Sequence, residues 1–125
     1  MSEEQSFGFK DLLVWQKSID FAQSVIEVAE SNNSERKHFR LLEQIEAASA
    51  SVSMNIAEGK GRYSKKEFVH YLYISRGSLY ETITLLNIFY RMKWISIDEL
   101  SDLEQKGQEL GKMLNGLINS IKKSI

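Results

Sequence analysis

The chain has 125 residues, of which 26% are charged and 42% are hydrophobic, and its net charge is −1. This length predicts a single domain over residues 1–125 with one hydrophobic core. We expect the polar residues 1–8 to form a flexible tail. The chain contains no cysteine, which excludes disulfides, thiolate nucleophiles and zinc–thiolate sites. The first residues lack the basic and apolar regions of a signal peptide, so we expect a cytoplasmic protein.

The absence of proline and the spacing of apolar residues predict long helices. In the first helix, apolar residues at steps of three and four form a core seam with a second stripe beside it, together wider than one packed face needs. The seam is Leu12, Trp15, Ile19, Ala22, Ile26 and Ala29, and the stripe is Val14, Phe21, Val25 and Val28. A second helix is predicted from Glu35 to Glu58, with Gly59 ending it. Its small residues over 47–53 allow a neighbouring helix to approach closely.

The third and fourth helices are predicted to begin at capping boxes, Ser64 with Glu67 and Ser96 with Glu99. The third helix is apolar around nearly its whole circumference, which predicts burial on nearly all sides. Its core seam is Phe68, Leu72, Ser75, Leu79, Ile83, Leu86 and Tyr90. Polar residues make the segment unsuited to crossing a membrane. In the fourth helix, glycines at 107, 111 and 116 each cost about 1 kcal/mol, and close helix contact is expected to compensate.

Four helices with short turns predict an all-α fold, an up-down-up-down antiparallel four-helix bundle. The first and third helices carry more apolar surface than a four-helix core can bury, so we expect a homo-oligomer. The predicted interface between copies lies on the outer side of the third helix, at Val69, Tyr73, Tyr80 and Ile88. Tyr73 and Tyr80 could alternatively stack on nucleic-acid bases, but we interpret the pair as subunit packing.

Antiparallel connectivity brings the 59–63 turn, the start of the first helix and the end of the fourth helix to one end of the bundle. Basic side chains outnumber acidic ones there, so we predict that this end contacts a phosphate backbone. The residues predicted to bind nucleic acid are Lys60, Arg62, Lys65 and Lys66, with Lys10, Lys122 and Lys123 nearby. The alternative interpretation is that lysines near helix ends only keep the surface soluble. Arg62, between two turn elements, is a stronger candidate than any lysine.

Arg76 and Glu81 are the only charged residues between 71 and 90. Five residues apart, they do not share a helical face. We predict that they join Asn55 and Glu58 in a buried polar network that fixes helix register. A catalytic carboxyl at Glu81 is the alternative, although no nucleophile accompanies it.

Two carboxylate–histidine pairs, Glu35 with His38 and Glu67 with His70, have the spacing that di-iron bundles use. In an antiparallel bundle these pairs open the second and third helices at opposite ends, roughly 30 Å apart. One metal centre cannot collect both pairs, so we predict no metal site and no cofactor.

Three motifs together are similar to those of a known family: Asn55-Ile-Ala-Glu-Gly-x-Gly-Arg62, Ser64-Lys-Lys-Glu-Phe68 and Ser75-Arg-Gly-Ser78-x-x-Glu81. The likeness extends to Phe9-Lys-Asp-Leu-x-Val-Trp-Gln-Lys17, Gln44, Ser53 and Met113-Leu-x-Gly-Leu117, nearly the whole chain. The chain resembles the 23S ribosomal RNA intervening-sequence proteins, also called S23 ribosomal proteins.

This resemblance implies a bacterial four-helix bundle that assembles as a homopentamer and binds RNA. The chain is also similar to the accessory variability proteins of diversity-generating retroelements, pentameric bundles that bind RNA and a reverse transcriptase. Members of the family tend to be more basic. Glu46 stands where they usually carry an arginine, and the proline before the second helix is missing. These departures weaken the RNA interpretation and leave the fold and the assembly untouched.

We therefore predict a non-enzymatic, pentameric helical-bundle scaffold associated with RNA or with a ribonucleoprotein. The alternative is a protein-interaction hub that docks a partner such as a reverse transcriptase and has no direct RNA role. A third hypothesis is an enzyme, in its most concrete form a metal-dependent one.

Overall fold

The computed structural model describes residues 7–31 and 38–125. A short 3₁₀ helix at Gly8–Asp11 precedes four long helices: α1 Leu13–Ser31, α2 Phe39–Lys60, α3 Lys65–Arg91 and α4 Ile97–Lys123. Within these described ranges there is no β-strand, so the predicted all-α class is confirmed. The predicted start of the second helix at Glu35 lies outside the described residues, as do residues 1–6 of the predicted tail.

The helices form the predicted antiparallel bundle. Both α1 and α3 pack against α2 and α4, so each helix has two neighbours. Short connections require this arrangement, because a turn of a few residues can only join helices that run side by side in opposite directions. Buried aliphatic and aromatic residues from all four helices meet in one core. In the part of the chain that the structure describes, no helix combines the length and apolarity needed to cross a bilayer.

The core face of α1 combines residues of both predicted stripes, so the seam is confirmed only in part. Val14, Phe21 and Val25 of the second stripe are buried, as are Ala22 and Ala29 of the seam, whereas Ile19 of the seam is exposed. The two stripes lie side by side on a wide apolar arc, and the neighbours α2 and α4 meet that arc nearer to Phe21 than to Ile19. Ile19 therefore adds to the apolar surface that the monomer leaves uncovered.

Hydroxyl groups let α2 approach both of its neighbours closely. On the α1 side, the Oγ atoms of Ser18 and Ser53 lie 2.8 Å apart, and Ser18 Oγ donates to the carbonyl of Trp15 at 2.6 Å. On the α3 side, the hydroxyl of Ser75 donates to the carbonyl of Val52 at 2.7 Å. These small buried groups satisfy their polar atoms without the volume of a larger side chain. The predicted close approach along the small-residue segment of α2 is confirmed.

Gly59 does not end α2 as predicted. The helix continues to Lys60, and Gly59 has no positive φ. A Cβ added at Gly59 would lie 2.7 Å from Cβ of Tyr71 and 3.2 Å from the carbonyl oxygen of Phe68, both on α3. Glycine is therefore required because the α3 backbone crosses here, which fixes the distance between the two helices just before their turn.

The outward face of α3 is narrower than predicted. Val69 is only 8% exposed, so its place in the predicted interface between copies is wrong. The buried arc of α3 is wide because α2 packs so closely against it. It comprises Val69, Leu72, Ser75, Leu79, Thr82, Leu85, Leu86 and Phe89. The other three predicted interface residues, Tyr73, Tyr80 and Ile88, are exposed.

A Schellman motif ends α3 at the far end of the bundle. The N–H of Trp94 donates to the carbonyl of Phe89 and the N–H of Lys93 donates to that of Tyr90, both at 2.9 Å. Lys93 takes the left-handed conformation that this motif requires, with φ at 65°. The rings of Trp94 and Phe89 are in contact, with centroids 5.2 Å apart, which supplies the apolar contact typical of the motif. The connection from α3 to α4 is thereby fixed.

Of the two predicted capping boxes, one is complete. At α4 the hydroxyl of Ser96 accepts from the N–H of Glu99 at 3.1 Å, and the Glu99 carboxylate accepts from the N–H of Ser96 at 2.8 Å. At α3 the hydroxyl of Ser64 accepts from the N–H of Glu67 at 3.1 Å, which is half of the box. Both serines nevertheless define helix starts at the predicted positions.

The glycines of α4 have different surroundings. A Cβ at Gly107 would lie 2.8 Å from Cδ1 of Ile83, and one at Gly111 would lie 3.6 Å from Cδ2 of Leu79. Both glycines therefore face α3, as predicted. Nothing lies within 4 Å of a Cβ at Gly116, so the predicted compensation by close helix contact is wrong there within the described chain.

Candidate nucleic-acid interface

The α2–α3 turn presents its cations from a fixed backbone. The N–H of Gly61 donates to the carbonyl of Ala57 at 3.2 Å, and the N–H of Arg62 donates to that of Gly59 at 3.1 Å. The Ser64 hydroxyl then caps α3. Because both helix ends are held, the side chains between them project from defined positions and lose little backbone entropy on binding a ligand.

Arg62 is held in place by two neighbouring side chains. Its Nη2 lies 2.6 Å from Oε1 of Glu58 and 2.5 Å from the hydroxyl oxygen of Tyr71. The guanidinium also lies over the Tyr71 ring, 4.8 Å from its centroid. Arg62 and Glu58 are both exposed, so their ion pair contributes little to stability. The contacts with Glu58 and Tyr71 nevertheless orient the guanidinium. Its remaining N–H donors stay available for an anion.

The three lysines of the turn are exposed and carry uncompensated charge. Among residues 7–31 and 38–125, the ion pairs involve Arg62 and Lys106, so Lys60, Lys65 and Lys66 have no carboxylate partner there. The Lys60 ammonium lies 6.0 Å from the centre of the Phe68 ring, and Lys65 Nζ lies 3.4 Å from the carbonyl oxygen of Ser124. These contacts leave the positive charges unpaired.

The structure brings the end of α4 and the 3₁₀ helix to this turn. Lys65 reaches Ser124, just after α4, and Lys122 Nζ lies 3.2 Å from the hydroxyl of Tyr73 on α3. At the other side, Phe9 of the 3₁₀ helix and Arg62 line one shallow cleft of about 480 Å³. We name this end, with Lys10, Lys60, Arg62, Lys65, Lys66, Lys122 and Lys123, the basic end.

Tyr63, in the middle of the turn, was missed by sequence reasoning. Its side chain is fully exposed, at 105% of the reference area. Apolar spacing gives no signal for an aromatic residue in a polar turn. The signal that could have found it is its position directly between Arg62 and the Ser64-Lys65-Lys66 segment.

The described residues at the opposite end carry a small excess of acidic side chains, and we call this end the acidic end. They are Arg40, Arg91 and Lys93 against Glu30, Glu43, Glu46, Asp98 and Glu99. Among the described residues, the excess of positive charge therefore lies at the basic end. A polyanion approaching the molecule is attracted to that end.

Two carboxyl groups meet at the acidic end. A side-chain hydrogen bond with Glu30 raises the pKa of Glu46 above its ordinary value of 4.5, and burial and the charges of Glu30 and Glu43 act in the same direction. Because the folded-state pKa of Glu46 is raised, protonated Glu46 contributes to the free energy of unfolding. That contribution is fully present below the unfolded-state pKa and is lost as the pH rises through the folded-state pKa. The ionised Glu46 carboxylate is repelled by the charges of Glu30 and Glu43. An arginine at 46, as the resemblance leads one to expect, would face Glu30 with opposite charge.

We therefore expect Glu46→Gln to stabilise the fold at neutral pH by about 0.5 kcal/mol, the size of a like-charge repulsion, and to raise the Tm by about 2 °C. Thermal unfolding followed by circular dichroism at neutral pH and below pH 4.5 measures the difference in Tm between this variant and wild type. The gain should shrink at the lower pH, where Glu46 of the wild type is itself protonated. Glu81→Gln, which removes an exposed carboxylate from α3, is the control. A lower Tm for Glu46→Gln at neutral pH would contradict this explanation.

The predicted buried polar network does not form. The Glu58 carboxylate pairs with Arg62 at the surface, and the side-chain amide of Asn55 donates to the carbonyl of Ser51 at 2.8 Å. Arg76 donates to Oδ1 of Asn115 on α4 at 2.9 Å, and Glu81 is exposed. A long charged side chain can extend along its helix to reach solvent, so Glu58, Arg76 and Glu81 need no buried partner. Serine and threonine hydroxyls take the buried polar positions instead.

Cationic side chains lie against two exposed tyrosines on the outer face of α3. The Arg76 guanidinium lies 4.8 Å from the ring centre of Tyr73 and 5.9 Å from that of Tyr80. Lys122 lies over the other part of this surface, 5.7 Å from the Tyr73 ring centre. Tyr80 is 55% exposed. Both tyrosines therefore already hold a cation against their rings and leave much of their apolar area uncovered.

Beside Tyr80, α3 and α4 enclose a groove of about 490 Å³. Its apolar floor exists because Gly107 and Gly111 bring no side chains to this side of α4. We call it the α3–α4 groove, and its lining is Leu79, Tyr80, Ile83, Thr84, Glu104, Gly107, Gln108, Gly111, Lys112 and Asn115.

The two histidines lie apart, as antiparallel connectivity predicts. The His38 ring stacks on Trp94 at the acidic end, with centroids 3.6 Å apart, whereas His70 lies near the start of α3 beside Tyr71. Glu35 lies outside the described residues. Within the described ranges, no group of three or more histidine, aspartate or glutamate side chains is placed to hold a metal ion.

Comparisons with known proteins agree with the fold and the motifs. No similarity to a curated protein reaches significance. The chain is similar to a crystal structure of a protein with unknown function from the S23 ribosomal protein family of Bacteroides thetaiotaomicron VPI-5482, with a TM-score of 0.79 and 25% identity over 85% of this chain and 98% of that one. Residues 10–116 match the profile described as 23S rRNA-intervening sequence protein. The chain therefore belongs to the 23S rRNA-intervening sequence protein family.

Proposed function

We propose that this protein is a non-enzymatic helical-bundle scaffold that assembles from identical copies and binds RNA through its basic end. The observation that carries the proposal is the α2–α3 turn, where Lys60, Lys65 and Lys66 have no carboxylate partner in the described chain and Arg62 is held outward by Glu58. Unpaired cations on a fixed backbone are what neutralisation of a phosphate backbone needs.

The proposal includes a homopentamer. Tyr73, Tyr80 and Ile88 are exposed on one side of α3, and Gly77 lies between the two tyrosines with nothing within 4 Å of a Cβ built on it. A glycine inside a helix costs about 1 kcal/mol relative to alanine, and the monomer gives no packing reason for it. A helix of a second copy lying across Gly77 would supply that reason and cover the apolar surface.

Assembly would also strengthen RNA binding. One basic end has a modest excess of positive charge, but cyclic symmetry places the same end of every copy on the same side of a ring. Several turns would then face one RNA molecule, and the contacts of one copy would raise the effective concentration for the next.

Binding of a fluorescently labelled structured RNA, followed by anisotropy as salt is raised from about 50 to 200 mM, tests the proposal. We expect the logarithm of the association constant to fall with the logarithm of the salt concentration, with a slope of about −4 or steeper for four or more phosphate contacts. Binding that is absent at the lowest salt would contradict the RNA-binding role.

The alternative proposal is a protein-interaction hub, and the α3–α4 groove favours it. A groove with an apolar floor and a tyrosine rim suits an apolar side-chain cluster of a partner protein. A protein that co-purifies without RNA and is lost from the Thr84→Arg variant at the groove rim would support the hub. The enzyme hypothesis, in its di-iron form, requires stoichiometric iron or manganese in the purified protein, and our proposal expects neither.

A further inference from the structure

Tyr63 is the aromatic residue most completely surrounded by solvent in the described chain. At 105% of the reference area both faces of its ring are open, and its side chain takes part in none of the hydrogen bonds or ring contacts of the described residues. Other tyrosines near the basic end have neighbours: Tyr71 contacts Arg62, and Tyr73 contacts Arg76 and Lys122. Within the described chain, Tyr63 therefore makes no side-chain contact that would stabilise the monomer.

Tyr63 is flanked in the sequence by cationic side chains on both sides. Arg62 precedes it directly, Lys60 lies three residues before it, and Lys65 and Lys66 follow within three residues. Two acidic side chains lie within five residues of Tyr63, namely Glu58, which is paired with Arg62, and Glu67. The four cations outnumber these two carboxylates. An open aromatic face among cations has the two elements by which proteins hold unpaired nucleotides, because the ring stacks on a base and the cations neutralise the flanking phosphates.

The backbone under Tyr63 is held on both sides. Hydrogen bonds from Gly61 and Arg62 close the end of α2, and Ser64 caps α3. The backbone of Tyr63 therefore lies between two hydrogen-bonded helix ends, which lowers the entropy lost when a base stacks on the ring.

We propose that Tyr63 stacks on an unpaired base of RNA while the lysines and arginine of the turn hold the adjoining phosphates. The ligand class is single-stranded or looped RNA, since bases inside a duplex are stacked on each other and cannot present a face to a side chain. This inference rests on the proposed function and names the substrate class of the same basic end.

The test compares a short unstructured RNA oligonucleotide with the same oligonucleotide annealed to its complement, each titrated with the full-length protein and followed by fluorescence anisotropy. Wild type should bind the single strand more tightly. Tyr63→Ala should weaken single-strand binding roughly 5- to 100-fold and leave duplex binding within about twofold. Tyr63→Phe keeps the ring and should bind like wild type. Tyr90→Ala, which truncates an exposed tyrosine at the acidic end, is the matched control and should have no effect.

Each contrary result has a separate meaning. If wild type binds both RNAs equally and Tyr63→Ala binds like wild type, the stacking role is wrong and the phosphate-binding role stands. If wild type binds neither RNA at low salt, the proposed function fails and this inference with it. If Tyr63→Ala changes the mass of the assembly and not RNA affinity, the ring packs between copies and the inference is wrong. Tyr63→Ala should keep the wild-type Tm, because the side chain has no hydrogen bond or ring contact in the described part of the chain.

Discussion

Replacing Gly59 by alanine is expected to destabilise the fold by about 2 kcal/mol, the middle of the range for overpacking a close contact. The new Cβ would lie 2.7 Å from Cβ of Tyr71 and 3.2 Å from the backbone oxygen of Phe68. Neither atom can move by a side-chain rotation, so α2 and α3 must separate. This figure is net of the higher helix propensity of alanine, about 1 kcal/mol. Thermal and chemical denaturation followed by circular dichroism measure the change, and we expect the Tm to fall by about 5 to 10 °C.

Gly116→Ala is the matched control for this prediction. Gly116 also lies inside a helix, but nothing lies within 4 Å of a Cβ built on it. Alanine should therefore stabilise the fold by about 1 kcal/mol through helix propensity and the lower entropy of the unfolded chain. If Gly59→Ala proved as stable as wild type while Gly116→Ala gained stability, the close crossing of α2 and α3 at Gly59 would be wrong.

The double variant Lys60→Ala/Arg62→Ala is expected to weaken RNA binding roughly 10- to 100-fold at low salt, because two charge-assisted contacts to phosphate are lost. The loss of Arg62 also frees the Glu58 carboxylate, which then repels the RNA backbone. The slope of the logarithm of affinity against the logarithm of salt concentration should become shallower by about 0.9 for each contact removed. Anisotropy titrations at several salt concentrations measure both quantities.

Arg40→Ala/Arg91→Ala removes the same amount of charge from the acidic end and serves as the control. Both arginines are exposed on described helices. Each double variant removes two positive charges, so the two variants have the same total charge. Its RNA affinity should stay within about threefold of wild type, because the charge lies at the far end of the bundle, well beyond a Debye length of about 10 Å. Equal losses in the two double variants would mean that total charge, not the α2–α3 turn, determines binding.

The fold was predictable because its determinants are local. Apolar steps of three and four, the serines before α3 and α4, and short connections specify four antiparallel helices without any knowledge of distant contacts. The register of α1 was not predictable in this way. Its apolar arc holds two adjacent stripes, and the choice of Phe21 over Ile19 for the core depends on where α2 and α4 meet that arc.

Gly59 shows how one residue type can serve two purposes that sequence alone does not separate. A glycine near a helix end followed by a turn is typical of a C-cap, and the same absence of Cβ is needed where two backbones cross. Only the contact with α3 distinguishes these roles. The polar network failed for a related reason: periodicity identifies the charges within an apolar segment but does not show whether Arg76 and Glu81 extend inward or toward solvent.

The cations of the candidate site were predictable from connectivity, since antiparallel helices bring Lys60, Arg62, Lys65 and Lys122 to one end. The orientation of Arg62 by Glu58 and Tyr71 was not, because it depends on side-chain geometry across the turn. Tyr63 was missed because apolar periodicity identifies residues within helices and gives no information about an aromatic residue in a polar turn. A search for aromatics among clustered cations would have identified it.

Assembly from identical copies would cover the outer face of α3 and bring several basic ends together, so the proposed RNA binding depends on it. Size-exclusion chromatography with multi-angle light scattering, on the full-length protein at several concentrations, measures it most directly. We expect a mass of about 72 kDa, five times the 14.4 kDa of one chain. A single species at 14.4 kDa across all concentrations would contradict it, because Tyr73, Tyr80 and Ile88 would then remain in water.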